Sequence, residues 1–268
     1  MTVAVFLRWV GFTFILNWRN QKLQAVILAA GIGARLNSEI DSLPKGLIEI
    51  GGKTLLEYSL EALIHNDIRD VIMVVGFQHE KIRNRFGSRY RGLKIEYVLN
   101  EKYADSGSMC SFAMVQDLIE EDIILLESDL LYEPRAISIL LNAGYRNCIL
   151  VTKLSGSGDE VYICTNEKQE ITALGKKIPL NRKRNAIGEL AGLSRFEGNF
   201  LDFVFKKSSK DIVEGKLNYH YEECIFDTSR YTEPVYAVFA DDLVWLEIDT
   251  EKDLKKAREQ IYPMIRER

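Results

Sequence analysis

Residues 24–45 read QAVILAAGIGARLNSEIDSLPK, and the fold can be worked out from this stretch. Residues 26–28 form a short apolar run of the kind that becomes a fully buried strand. The small residues 29–34 follow directly, and glycines among them let the backbone take positive φ and approach a ligand closely. Successive N–H groups in such a turn form an anion-binding concavity, to which Arg35 adds a fixed fork of donors and Lys45 a mobile charge. The stretch therefore predicts a cradle for a triphosphate.

The turn differs from the two commoner phosphate-binding glycine loops. The pattern GxxxxGK[ST] is absent from the sequence, and GxGxxG fails at its third glycine. The alternative interpretation is a plain joint between a strand and a helix, in which Arg35 and Lys45 are solvated.

The sequence LAAGIGARL (28–36), followed by LPKGLIEIGGKTLLEY (43–58), resembles the signature of the nucleotidyltransferases that activate sugars and alcohols with nucleoside triphosphates. The resemblance implies that the backbone of the turn and Arg35 hold the β- and γ-phosphates, and that Lys45 stabilises charge on the α-phosphate under attack. It makes Lys45 and Arg35 the candidate catalytic residues. The candidate nucleotide contacts of the turn are Ala29, Ala30, Gly31 and Gly33.

The overall composition is that of an ordinary globular protein, with 47% hydrophobic and 28% charged residues in a chain of 268. This length suffices for one substantial core. The formal net charge is −4, with basic residues spread along the chain, and this argues against a nucleic-acid partner. The four cysteines lie far apart without metal-ligand spacing, so we expect reduced thiols in a cytoplasmic protein.

Residues 1–20, MTVAVFLRWVGFTFILNWRN, are apolar and aromatic but include Arg8. The stretch is short for a bilayer span of ~20 residues and lacks the basic start of a secretory signal. It remains open to several interpretations: an element packed on the domain, a peripheral membrane contact, a loosely packed extension, or a translation start placed ahead of a natural one at Leu23. We expect residues 1–22 to be an extension without membrane contact, and residues 23–268 to be the nucleotidyltransferase domain.

Strands and helices alternate after the glycine turn. Strand patterns at 71–75 and 93–99 alternate with helical patterns at 55–66 and 79–86, as in βαβ units on a parallel sheet. Ligands of such sheets bind beyond the carboxyl ends of the strands, where the glycine turn lies. We therefore expect an α/β fold of the Rossmann-like nucleotidyltransferase type, with a mixed, mostly parallel sheet flanked by helices.

A small β-rich lid is expected near residues 155–190. Residues 161–164 and 171–174 flank a polar segment in a hairpin-like pattern. In the resembled family an insert of this kind builds the acceptor-binding lid. Lys176 and Lys177 follow the hairpin, and we interpret them as surface charges, with a second lysine near the phosphates as the alternative.

Residues 100–111, NEKYADSGSMCS, are small and polar and lead into a helical pattern at 112–120. In the resembled family this region contacts the nucleotide base, and here it looks closest to the cytidylyltransferases that activate phosphocholine or 2-aminoethylphosphonate. The candidate nucleotide contacts are Asn100, Ser106, Gly107 and Ser108. The serines are also ordinary helix-capping residues, which is the alternative interpretation.

Two acidic positions follow apolar strands and are the candidate metal ligands. Asp129 comes after the apolar run 123–126, and Asp249 comes after 245–248. Mg²⁺ prefers one or two carboxylates together with phosphate oxygens and water, and the resemblance places it on this pair. Glu127 lies two residues before Asp129 on the same strand face and is a further candidate contact at the nucleotide. The alternative is that these acids are solvated strand-end residues, or in the case of Asp249 a neighbour of a helix cap.

Acidic residues in the second half of the chain are candidates for binding a cationic group on the acceptor. Asp159 and Glu160 follow a glycine-containing loop, and Glu189 precedes a glycine-containing turn. Tyr221 and Glu222 could form an aromatic and acidic pocket for an ammonium group, since a π face and a carboxylate both attract cations. A helix with surface glutamates explains Tyr221 and Glu222 equally well.

The expected reaction is the transfer of CMP from CTP to 2-aminoethylphosphonate, with Mg²⁺ as cofactor and pyrophosphate as second product. Phosphocholine or phosphoethanolamine is the close alternative acceptor. A sugar-1-phosphate nucleotidyltransferase and a catalytically silent nucleotide-binding regulator on the same fold are the further alternatives. A homodimer is left open by the sequence.

Overall fold

The structure is a computed structural model that describes residues 23–33 and 43–268. The expectations for residues 1–22 and for Arg35 lie outside the described residues.

Most of the described strands belong to one large sheet, in the order β11-β10-β12-β7-β1-β4-β6-β5, with β9 also paired to β12 and β13 to β9. The strands are β1 (Leu23–Ala29), β2 (Glu49–Ile50), β3 (Lys53–Thr54), β4 (Asp70–Val75), β5 (Arg89–Tyr90), β6 (Leu93–Leu99), β7 (Asp122–Glu127), β8 (Leu130–Tyr132), β9 (Cys148–Thr152), β10 (Tyr162–Thr165), β11 (Ile171–Gly175), β12 (Gly188–Phe196), β13 (Tyr236–Phe239) and β14 (Trp245–Glu247).

The helices pack on the two faces of this sheet and beside it. They are α1 (Leu55–His65), α2 (His79–Phe86), α3 (Ser108–Ala113), α4 (Arg135–Leu141), α5 (Leu180–Arg184), α6 (Gly198–Val213), α7 (Tyr221–Ser229), α8 (Glu251–Lys256) and α9 (Tyr262–Arg266). Short 3₁₀ turns lie at Lys45–Leu47 and Gln116–Leu118, and a π-helical turn at Ala257–Ile261 joins α8 to α9.

The strands at the centre of the sheet are parallel, and the strands beyond β7 begin with an antiparallel pairing. β1 pairs in parallel with β4 on one side and with β7 on the other, and β6 continues the parallel set. β12 runs antiparallel to β7 and β10, and it pairs antiparallel with β9 along its opposite edge. The predicted mixed sheet flanked by helices is thereby confirmed. The residues expected as a lid form the antiparallel hairpin β10–β11 and the short helix α5.

Alternate residues of the central strands enter two different cores. Ala25 and Ile27 of β1 pack in the core on one face, whereas Val26 packs in the core on the opposite face. Burial on both faces explains why β1 reads as an unbroken apolar run, as is usual for parallel strands. A third apolar cluster packs α8 and the π-helical turn against β8 and β14.

Helix α1 begins with a capping box formed by Thr54 and Glu57. The backbone N–H of Glu57 donates to Oγ1 of Thr54 at 3.1 Å, and the backbone N–H of Thr54 donates to Oε2 of Glu57 at 2.8 Å. This capping box satisfies two amide groups that the helix cannot pair internally. The helix predicted over 112–120 instead begins at Ser108 and ends at Ala113, because the backbone tightens into a 3₁₀ turn at Gln116–Leu118.

Within residues 23–33 and 43–268, none of the helices has both the length and the apolar character that crossing a bilayer requires.

The 3₁₀ turn at Lys45–Leu47 rests directly on α1. Gly46 is buried, and a Cβ atom built on it would lie 2.7 Å from Cγ of Leu56. The Leu56 side chain is fully buried and has no room to withdraw. The absence of a side chain at Gly46 therefore fixes how closely the turn that carries Lys45 approaches the helix.

We expect Gly46→Ala to lower the free energy of unfolding by about 1–3 kcal/mol, because the added methyl group overpacks a close-packed site. Urea denaturation followed by circular dichroism measures the change. Gly31→Ala is the matched control for stability, since a Cβ at Gly31 meets nothing within 4 Å. Equal stabilities for the two variants would contradict the prediction.

Candidate active site

A cleft of about 990 Å³ opens where β1 and β7 end. Gly33 of the glycine turn has a φ of 70°, and a Cβ on it would lie 2.7 Å from Cγ of Lys45. Gly33 therefore leaves room for the lysine stem because it has no side chain. Of the predicted site residues, those that line the cleft are Ala30, Gly31, Gly33, Lys45, Ser106, Gly107, Ser108, Glu127, Asp129, Asp159, Glu160, Glu189, Glu222 and Asp249. Ala29 is instead buried in the core.

Lys45 lies between the two predicted metal ligands. Its Nζ is 2.8 Å from Oδ2 of Asp129 and also forms an ion pair with Oδ1 of Asp249. The three side chains are only 12–18% exposed, so solvent screens the contacts weakly. Burial lowers the pKa of Lys45, but the two carboxylates more than reverse that effect and hold the pKa above its ordinary value. Lys45 is thus a fixed positive charge at physiological pH.

Three carboxylates meet beside Lys45. Carboxylate oxygens of Glu127, Asp129 and Glu247 all lie within 4.8 Å of one another. Burial raises the pKa of Glu127 and of Glu247, and the charge of Asp129 raises both further. A cluster of carboxylate oxygens whose charges repel one another is suited to binding a hard divalent cation such as Mg²⁺.

This cluster shares only Asp129 with the predicted metal pair of Asp129 and Asp249. Asp249 is engaged by Lys45, while Glu247 joins Asp129 and Glu127. Sequence reasoning missed Glu247, although WLEIDT carried a signal, because Glu247 and Asp249 are two residues apart and share a strand face. The same spacing relates Glu127 to Asp129 after β7.

Tyr221 lies behind the carboxylate cluster and does not line the cleft. Its side chain is 1% exposed, and its hydroxyl donates to Oε1 of Glu127 at 2.8 Å. A hydrogen bond to a carboxylate oxygen fixes the orientation of that carboxylate. The tyrosine predicted to contact the acceptor therefore positions Glu127 in this structure.

The polar segment between β6 and α3 is organised around Asn100, which is buried. Its Nδ2 donates to Oγ of Ser111 at 2.9 Å and to Oγ of Ser106 at 3.2 Å. Gly107 is pressed against the strand-like segment before α7, since a Cβ there would lie 2.1 Å from the carbonyl oxygen of Tyr219. Ser106 and Ser108 face the cleft, while Asn100 shapes the segment that presents them.

Three of the predicted acceptor contacts have partners within the chain. The Ser155 backbone N–H and hydroxyl both donate to Glu189, at 2.6 and 3.2 Å, and the Tyr162 hydroxyl donates to Glu160 at 2.9 Å. Asp159 pairs with Lys176 at 2.9 Å. Lys176, interpreted from the sequence as a surface charge, lines the cleft and acts electrostatically on Glu127 and Glu222.

Glu222 differs from these acids. It is 7% exposed, lines the cleft, and is without a side-chain hydrogen bond or ion pair to another residue in the described part of the chain. Burial raises its pKa to about 7, since little in its surroundings compensates the lost hydration. A buried carboxylate of this kind, facing a cleft, can accept a hydrogen bond from a cationic ligand.

Comparison with known proteins gives the family. The sequence profile of the MobA-like NTP transferase domain matches residues 25–162, about half of the chain. A CMP-5'-(3-aminopropyl)phosphonate synthase from Streptomyces rubellomurinus is 30% identical over 131 residues, which are 49% of this chain and 21% of that protein. A D-glycero-alpha-D-manno-heptose 1-phosphate guanylyltransferase from Aneurinibacillus thermoaerophilus is 33% identical over 110 residues, 41% of this chain and 47% of that protein. The matches thus span less than half of either relative.

The likeness to solved structures extends over nearly the whole fold. The structure of a CTP:phosphocholine cytidylyltransferase from Streptococcus pneumoniae superimposes with a TM-score of 0.71 and 21% sequence identity, covering 89% of this chain and 98% of that one. At this identity the likeness concerns the fold alone.

The pKa of Glu222 leads to a prediction about stability and pH. Because the pKa is about 7 in the folded protein and ~4.3 in an unfolded chain, both states are protonated at low pH and Glu222 contributes nothing there. As the pH rises, the unfolded chain releases the proton first, so stability falls until the pH passes about 7. Glu222→Gln should remove this loss. We expect the variant to exceed the wild type by about 1–3 kcal/mol at pH 8 and to equal it near pH 4.

Urea denaturation in the presence of EDTA, at pH 4, 6 and 8, measures this difference. Glu167→Gln, at an exposed turn position, is the matched control and should follow the wild type at every pH. A difference between Glu222→Gln and the wild type that stays constant with pH would contradict the prediction.

Proposed function

The chain belongs to the family of MobA-like NTP transferase domains, and we propose that residues 23–268 transfer a cytidylyl group from CTP to a small phosphonate or phosphate acceptor. The acceptor that we propose is 2-aminoethylphosphonate, and the products are its CMP conjugate and pyrophosphate. The observation that carries the proposal is Lys45, held charged between Asp129 and Asp249 next to the glycine turn. The aminoalkylphosphonate in the name of the Streptomyces relative supports the choice of acceptor.

The reaction needs charge stabilisation and positioning more than a protein base. An anionic phosphonate oxygen of the acceptor attacks the α-phosphorus of CTP, and the bond from that phosphorus to the bridging oxygen of pyrophosphate breaks. Lys45 stabilises the negative charge that accumulates on the α-phosphate oxygens, and backbone N–H groups at Gly31 and Gly33 bind the departing pyrophosphate. The attacking oxygen is already ionised near neutral pH, so no residue has to remove a proton from it.

Glu127, Asp129 and Glu247 are the residues that would hold Mg²⁺, since their oxygens cluster as a hard cation requires. Bound there, the ion would neutralise phosphate charge and orient the triphosphate. Tyr221 keeps Glu127 turned toward this position through its hydrogen bond.

Glu222 is the residue that we propose to recognise the ammonium group of the acceptor. It is the predicted acceptor contact that combines burial, a place on the cleft wall and the lack of a side-chain partner among the described residues. A primary ammonium group offers N–H donors to such a carboxylate, and a charged hydrogen bond of this kind contributes about 1.5–3 kcal/mol. Phosphoethanolamine offers the same donors and is the nearest alternative acceptor.

A sugar 1-phosphate remains the second candidate acceptor, because the Aneurinibacillus relative is named for a heptose 1-phosphate. Pyrophosphate release is therefore to be measured with CTP, UTP, GTP and ATP against 2-aminoethylphosphonate, phosphoethanolamine, phosphocholine and glucose 1-phosphate. Turnover with CTP and 2-aminoethylphosphonate above all other pairs supports the proposal. Turnover with the sugar phosphate alone would keep the chemistry and replace the acceptor.

We expect Asp129→Asn to lower kcat at least about 100-fold, because it removes a carboxylate shared by Lys45 and the proposed Mg²⁺ position. Asp117→Asn, at an exposed position of the 3₁₀ turn after α3, is the matched control and should keep wild-type turnover. Circular dichroism establishes that both variants are folded. Wild-type kcat in folded Asp129→Asn would refute the assignment of this site.

The role of Glu222 is tested with an acceptor that lacks the amine. We expect the wild type to favour 2-aminoethylphosphonate over ethylphosphonate, and Glu222→Gln to reduce that preference about 10- to 100-fold in kcat/KM, the range that a charged hydrogen bond provides. The rate with ethylphosphonate should change little, which separates loss of recognition from general damage to the site. An unchanged preference in Glu222→Gln would show that another group recognises the ammonium.

A further inference from the structure

Basic residues are concentrated in one segment beside the cleft. Lys176, Lys177, Arg182, Lys183 and Arg184 lie within nine residues, and the sequence has no acidic residue between Glu170 and Glu189. We call residues 176–184 the basic arm. All five basic residues are exposed, and the arm comprises the segment that follows β11 together with helix α5. This density of positive charge stands out in a chain whose net charge is −4.

The basic arm lies at the rim of the cleft. Lys176 lines the cleft and pairs across it with Asp159. Nζ of Lys183 lies 4.1 Å from the centre of the Tyr162 ring, and the hydroxyl of that ring donates to Glu160, which is also a cleft residue. The charges of the arm are therefore close to the entrance through which a ligand of the cleft has to pass.

Three of the five cations have no ion pair among the residues that the structure describes. The described part of the structure places no carboxylate within ion-pairing distance of Lys177, Arg182 or Arg184. Unpaired like charges held close together repel one another, and a segment that keeps them exposed retains a positive potential for a mobile anion.

The cleft itself has the opposite sign. Among the described residues, eleven carboxylate and six basic side chains line it. A nucleoside triphosphate is a polyanion, so most of the cleft wall repels the ligand that the proposed reaction requires. Clefts and rims of one sign focus the electric field and change association rates by about 10- to 1,000-fold, depending on ionic strength.

We propose that the basic arm captures the triphosphate of the incoming nucleotide and steers it past the acidic wall to the glycine turn. This inference rests on the proposed function for the identity of the ligand, a nucleoside triphosphate. The arm increases the rate at which the nucleotide associates. The bound nucleotide is then held by the glycine turn and Lys45.

The test compares two triple variants of the same net charge. In one, the unpaired cations of the arm are reversed (Lys177→Glu, Arg182→Glu, Arg184→Glu). In the matched control, exposed cations away from the cleft are reversed: Arg89 and Lys94 on β5 and β6, and Lys206 on α6, each to Glu. Stopped-flow fluorescence with labelled CTP, and with labelled ATP, UTP and GTP, gives association and dissociation rate constants at low and at high salt.

We expect the arm variant to associate with CTP about 10-fold more slowly than the control at 20 mM salt, with a similar dissociation rate constant. The difference should shrink toward zero at 300 mM salt, where the Debye length falls to roughly 6 Å. Equal association rates for the two variants at low salt would overturn the inference. So would wild-type binding to anionic phospholipid vesicles that only the arm variant loses, with nucleotide association unchanged, since the arm would then be a membrane-binding surface.

The test of the basic arm can fail or succeed independently of the test of the proposed cytidylyl transfer. Triphosphate binding that depends on the arm, without pyrophosphate release for any acceptor, would refute the cytidylyl transfer and keep the steering role. The absence of binding for all four triphosphates would overturn both.

Discussion

The ion pairs of Lys45 with Asp129 and Asp249 are the constraint on which the rest of the site depends. The partners lie 84 and 204 residues further along the chain, so the contact forms only when the fold brings these three distant segments together. A lysine buried without counter-charges tends to lose its proton, and the two carboxylates prevent this. The close packing of Gly46 on Leu56 and of Gly33 on the lysine stem then fixes where the charge lies. The position of the Lys45 side chain thus depends on the fold, and the candidate chemistry depends on Lys45.

The same constraint explains why so many acids surround the cleft. Two carboxylates hold Lys45, and two further ones, Glu127 and Glu247, precede them by two residues on the same strand faces. Together they exceed the positive charge available from Lys45, which is an unfavourable arrangement unless a cation is bound. Burial first, and then the neighbouring carboxylate charges, raise the pKa of Glu127 and of Glu247. A divalent cation held by these carboxylates would offset the excess when a polyanionic ligand binds.

The sheet and the residues at its strand ends could be predicted from the sequence, because both produce local sequence patterns. Apolar runs followed by glycine or acidic residues identified β1, β7 and β14, and Gly33, Asp129 and Asp249, which follow these strands, line the cleft. Features that depend on packing between distant segments were not predictable in this way. Tyr221 turns inward to Glu127 across 94 residues, and no spacing rule reports such a contact. Glu247 shares the strand-face pattern of Asp249, and period two along WLEIDT was the available signal.

The two halves of the sheet differ in how well they tolerate amino-acid substitutions. The parallel half carries the glycine turn at the end of β1, a strand buried on both faces, where a substitution disturbs two cores at once. The antiparallel half carries the buried Glu189 on β12, the buried Glu160 just before β10, and the exposed basic arm after β11. Loops on a rigid scaffold tolerate substitution far better than buried strands do. A fold divided in this way can keep the residues that bind the triphosphate while the residues that bind the acceptor change. Family membership alone therefore does not identify the acceptor, and the identification has to come from the side chains around Glu222.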